Sequence, residues 1–180
     1  MPSSTQKIAN AVALLAWALW LGGLVALGAI SAPLVFGHVP MPYSADAMTL
    51  VFRRFDVLAM TCAAVVLARE MVALFFEMAP VSGGRGHGVA LRRIDAARMA
   101  SVLVAGALAA IEGMWLSPAI EELHRSGAVR GAGELGERLE TLHARAEAVS
   151  KVELLVLLAF IVLYAFAVPS QPRKADIPPT

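Results

Sequence analysis

Apolar residues gather along this chain in four long blocks, at about 8–30, 56–78, 94–115 and 152–168, with polar connectors between them. Block length is the first discriminant, because an unbroken apolar run of about 20 residues spans about 30 Å of hydrocarbon as a helix, whereas half-buried strands alternate every second residue. The pattern therefore predicts an all-α fold, an integral membrane four-helix bundle in which lipid takes the place of water as solvent. The first block runs from Ile8 to Ile30, with Lys7 before it and Pro33 after it. Its basic start and small-residue exit, Gly28-Ala29-Ile30-Ser31, also suit a secretory signal peptide. Such apolar cores are only about 7–15 residues long, so the block is read as an uncleaved span. The second and third blocks close near Pro80 and Pro118, and the fourth stops before Pro169.

The two longer connectors carry helical periodicity of their own. Met48, Val51, Phe52 and Phe55 recur at helical spacing after Ser44, a suitable N-cap, and run into the second block. Leu135, Leu139, Leu142, Ala146 and Val149 do the same ahead of the fourth. The second and fourth helices are thus expected to project beyond the bilayer on the non-cytoplasmic face and to pack on each other there. Residues 1–168 form a single domain in this reading, and the Pro-rich stretch 169–180 is a disordered tail.

Composition agrees with the pattern. The chain is 58% hydrophobic and 16% charged, against about a quarter charged in soluble domains. A net charge of +1 points to neither nucleic acid nor an acidic partner. The single cysteine, Cys62, lies inside an apolar block and carries no redox argument. Lys7, Arg85, Arg92, Arg93, Arg173 and Lys174 fall on one side of a four-span topology. On the other side Arg53 and Arg54 stand near a connector rich in Glu121, Glu122, Glu134, Glu137, Glu140 and Glu147. The positive-inside rule then gives N-in, C-in in a cell inner membrane.

Ionisable residues within the spans carry the most chemical information. A charge near the bilayer centre costs about 2.5–3.5 kcal/mol on insertion scales, so it must face the bundle interior or a partner. Glu70 and Glu77 share a face of the second helix, with Arg69 about 100° away. Arg98, Ser101, Ala105, Ala109 and Glu112 form a polar or small stripe on the third, suited to close helix approach. Counting depth from the middle of each span, Arg98 is expected to bridge Glu77 and Glu70, leaving Glu112 for Arg53, Arg54 or a hydroxyl. The network Arg69, Glu70, Glu77, Arg98 and Glu112 reads as structural interhelical pairing, or as a proton or ion relay through Glu70 and Glu112 or a polar substrate cavity.

A second set of candidates lies on the non-cytoplasmic side: His38, His124, His143, Glu147 and Ser150, with His87 on the opposite side. Three imidazoles suit a transition metal or haem, yet no HxH, HxxxH or CxxC spacing ties two of them together. No cofactor is expected, with a metal or haem as the alternative. Trp17, Trp20 and Trp115 read as packing or interface anchors, and Gly22, Gly23 and Gly28 as points of helix contact. GGRGHG at Gly83–Gly88 lacks the lysine and spacing of a phosphate-binding loop and reads as a connector.

The segments WLGGLVALGAISAPLVF, VFRRFD, EGMWLSPAI and LHARAEAVSKVELL, spread over about Ala11 to Ala167, resemble a bacterial domain of unknown function grouped with transmembrane protein 205-like proteins. The resemblance implies a four-span membrane protein with no assigned activity and no catalytic residues. The matching positions are Pro33, Phe36, Arg54, Phe55, Ser117, Pro118, His143 and Ser150. A weaker resemblance is to copper-resistance D-like and protoporphyrinogen-oxidase-like membrane proteins. The sequence thus points to a non-enzymatic accessory subunit or small transporter, with the lipid bilayer and a second copy or partner subunit as its company. The alternative is a metal- or haem-handling redox protein.

Overall fold

The computed structural model describes residues 4–78 and 93–167, and the side chains of 4–75 and 96–163 within them. Every regular element is helical: α1 (Ser4–Val25), α2 (Ala32–His38), α3 (Tyr43–Met78), α4 (Arg93–Ile111), α5 (Ser117–Arg125) and α6 (Gly133–Ala167), with π-helical turns at Ala26–Ser31 and Glu112–Leu116. Three continuous helical stretches, Ser4–His38, Tyr43–Phe75 and Ala96–Arg125, are long and apolar enough to cross a membrane. With the apolar second half of α6 they make the four-helix membrane bundle.

Pro33 and Pro118 do not end their helices. A proline has no N–H to donate, and its ring collides with the carbonyl four residues back, which normally breaks or kinks a helix. Here each is preceded by a wider π turn that relieves this collision and lets the chain run on. The consequence is largest in the third helix. Within its π turn Ser117 N–H bonds Glu112 O, so the next donor in register belongs to Pro118, which has none. The orphaned Gly113 carbonyl accepts instead from Arg53 Nη1 of α3 at 2.8 Å.

α1 packs on α3, α3 on α4 and α4 on α6, leaving the α6–α1 seam the most open. The core is Trp17 and Trp20 of α1, Ala59, Cys62, Ala63 and Val66 of α3, Val102, Ala105 and Ala109 of α4, and Leu157 and Phe160 of α6. The small residues let α3 and α4 approach closely: a Cβ on Gly106 would lie 3.6 Å from that of Ala63. Gly23 is required, because a Cβ there would run into the Phe55 ring. Gly22 and Gly28 meet nothing, so the expected helix contact holds for Gly23 alone. The indole rings also divide: Trp20 is fully buried at 0% exposure, whereas Trp115 is 64% exposed toward the lipid.

Both projecting halves form as continuous helices, α3 of 36 residues and α6 of 35. They are joined through α5, an element the sequence pattern did not suggest. Ile120 and Leu123 of α5 pack on Leu139 of α6 with Leu142 and Ala146 beside them. On its other side α5 meets α3 through Glu121 and Arg53 at 3.3 Å. Met48 and Phe55 of the expected apolar face are buried, while Val51 is exposed. The tail 169–180 and the basic residues Arg85, Arg92, Arg173 and Lys174 lie outside the described residues, as do His87 and the glycine-rich connector.

Candidate functional site

The polar side chains of the bundle interior fall into two layers. The first lies near the start of α1, where Glu70 Oε1 accepts from Arg98 Nη2 at 2.7 Å and from Arg69 Nη1 at 2.6 Å. Arg69 also donates from Nε to Asn10 Oδ1 at 3.0 Å. The Arg98 guanidinium lies over the Phe160 ring, 5.8 Å from its centroid. Both Glu70 and Arg98 are buried. The expected Arg98–Glu70 pair is present, while the Glu77 side chain lies outside the described residues. Neighbouring residues do not share a helix face, so the bond from Arg69 to Glu70 depends on the arginine's length.

The second layer lies fourteen residues away along α3, and likewise from Arg98 of α4 to the π turn after it, about 21 Å at 1.5 Å per residue. Glu112, the first residue of the π turn, accepts from Ser150 Oγ of α6 at 2.5 Å. This is the hydroxyl among its three expected partners. Arg53 is instead held by Gly113 O and Glu121, and Arg54 is exposed. One helical turn beyond Ser150, Glu153 accepts from Trp20 Nε1 at 2.6 Å. Asp56 of α3 is within hydrogen-bonding reach of Ser117.

Three helices therefore bring three carboxylates together, close enough for the charges of Asp56, Glu112 and Glu153 to act on one another. Asp56 is 5% and Glu153 1% exposed. In each, one buried oxygen, Asp56 Oδ2 and Glu153 Oε2, has no hydrogen-bond partner. Buried polar atoms without partners are uncommon and call for a ligand, a proton or water.

The sequence reading missed Asp56, Glu153 and Asn10 because each stood at the assumed edge of a span, where a polar residue needs no explanation. A signal was available for Glu153: it follows Ser150 by three residues, on the face that Glu112 needed. Trp20, read as a packing anchor, also holds this carboxylate.

The second candidate set does not form one site. His38 Nδ1–H donates to Leu34 O in its own helix at 2.9 Å. Glu147 pairs with Lys151 at 2.7 Å on the exposed face of α6, and Ser150 belongs to the carboxylate layer. His124 and His143 do meet, with ring centroids 5.8 Å apart. Among the described residues no three His, Cys, Asp or Glu side chains are grouped to hold a metal ion.

Burial, reinforced by the charges of Arg130 and His124, holds the His143 imidazole below the usual histidine range. A histidine depressed in the folded state stabilises it above its unfolded value, and that stability is lost as pH falls through the folded one. Acidification below about pH 6.5 is therefore expected to loosen the α5–α6 cap. Hydrogen exchange over residues 117–150 should rise on mild acidification, and His143→Gln should flatten that response.

No curated protein and no solved structure matches the chain. A family model described as Domain of unknown function (DUF4149) matches residues 15–128. The matched stretch holds Asp56, Glu70, Arg98 and Glu112 and ends before α6, so Ser150, Glu153 and the fourth-helix motif lie beyond it. The grouping with transmembrane protein 205-like proteins is no part of this match. Reaching from within α1 to just past α5, and so over more than half of the chain, the match makes this membrane protein a member of the DUF4149 family of unknown function.

Proposed function

We propose that this chain is a non-enzymatic transporter of an inner membrane, oriented N-in and C-in, that relays protons through Asp56, Glu112 and Glu153. One observation carries the reading: three carboxylates from three helices share a layer of the core, and two of their buried oxygens have no partner. Arg53, the cation acting on Asp56, is already bonded to Gly113 O and Glu121. A proton is the smallest ligand that satisfies such oxygens, and intramembrane carboxylates of this kind are the usual stations of proton pathways. The first layer is assigned a structural role, because Glu70 holds two guanidiniums at once. The relay needs no cofactor.

A relay requires water to reach the second layer from at least one side. In a Cys62→Ala background, cysteines placed at Met60, Ser117 and Val149 are expected to react with a small charged thiol reagent. Cysteines at Val104 and Leu158, on the lipid face, are expected to stay protected. Uniform protection at the first three positions would overturn the relay.

A further inference from the structure

The open α6–α1 seam contains a cavity of about 610 Å³, lined by Asn10, Trp17 and Gly22 of α1, Ile30 of the π turn that follows it, Arg69 of α3 and Phe160 of α6, among others. This is within the range of about 300–1,000 Å³ typical of small-molecule sites. Its lining runs along the first membrane helix, α1 and the π turn after it, from Asn10 to Ile30, about 30 Å at 1.5 Å per residue. It is a long apolar groove with its polar groups at one end. Asn10 lies three residues from Lys7, so that end is near the membrane boundary.

The polar end has donors left over. Arg69 uses Nε and Nη1, and Asn10 uses Oδ1, so among the described residues Arg69 Nη2 and Asn10 Nδ2 have no partner. Among the described residues the only carboxylate Arg69 meets, Glu70, is shared with Arg98. Deeper in the wall, Trp17 is 5% exposed and its Nε1 is buried without a partner. Helical side chains lean toward the helix N-terminus, which brings this indole toward the polar end.

We propose that the groove binds one anionic phospholipid of the leaflet on the N-terminal side. Its phosphate sits on Arg69 Nη2 and Asn10 Nδ2, and one acyl chain lies in the groove along the first membrane helix, past Trp17. Arg69 Nη2 and Asn10 Nδ2 are both donors, and a phospholipid supplies an anionic acceptor joined to an apolar chain. Anionic lipid is favoured over zwitterionic, because Arg69 and Asn10 offer donors to a phosphate while the lining carboxylate, Glu70, already accepts from two guanidiniums. A lysine or arginine near the bilayer surface favours anionic lipid by roughly fivefold.

Trp17 lines the groove and its quenching reports occupancy, while Trp20, fully buried and off the lining, adds a constant background. Trp115→Phe protein, which removes the lipid-exposed indole, is reconstituted in vesicles whose phosphatidylglycerol or phosphatidylcholine carries brominated acyl chains. Quenching should show a roughly fivefold preference for phosphatidylglycerol. Arg69→Gln should remove that preference. So should Gly22→Phe, which fills the groove from a position where a Cβ meets nothing within 4 Å and which keeps the thermal unfolding midpoint. Equal quenching by both lipids would overturn the headgroup assignment. Absence of quenching would overturn lipid occupancy altogether, as would displacement of the lipid by a second copy of the chain.

Discussion

Glu70→Ala is expected to be the most damaging single substitution in the membrane core, at about 3–5 kcal/mol of bundle stability. One carboxylate oxygen accepts from both Arg98 and Arg69, so its removal takes the carboxylate from two guanidiniums, one of them 8% exposed. Breaking a buried ion pair from one side costs far more than replacing the whole pair, because a buried charge is left behind. Arg69→Gln should cost less, since Glu70 keeps Arg98. Glu112→Gln should cost least, because its amide oxygen still accepts from Ser150. Denaturation in mixed micelles gives the order, and a Glu70→Ala midpoint close to wild type would contradict the structural role of this layer.

The second layer should behave in the opposite way. Trp20→Phe strips Glu153 of its one bonded donor and is expected to destabilise by about 1–3 kcal/mol. Adding Glu153→Leu should restore most of that loss, because replacing both partners of a buried hydrogen bond by apolar groups is nearly neutral. It also removes the unpartnered Oε2. A double variant as stable as wild type would mean that Glu153 is not present for stability. If the two losses simply added, Glu153 would be a structural residue and the proton relay would lose its best-placed station.

How far each of these features can be read in the sequence depends on position in the helices. The spans were legible because lipid demands about 20 apolar residues in a row. The Arg98–Glu70 contact was legible because rise per residue fixes depth. The helix ends at Pro33 and Pro118 were not, since a π turn is a backbone adjustment without its own sequence mark. That adjustment sends the chain on into α5, which joins the two projecting halves and engages Arg53. Asp56 and Glu153 were hidden for a related reason. With α3 running unbroken from Tyr43 and α6 from Gly133, both lie well inside their helices. His124 and His143 meet only because α5 folds back on α6, a tertiary event that residue spacing does not encode.

Proton flux into proteoliposomes under an imposed pH gradient tests the central claim most directly. The purified chain should carry protons faster than empty liposomes, and Glu153→Gln and Asp56→Asn, each folded as judged by its melting midpoint, should return the rate to that of lipid alone. A wild-type rate no greater than that of empty liposomes, or one unchanged by both substitutions, would contradict the account.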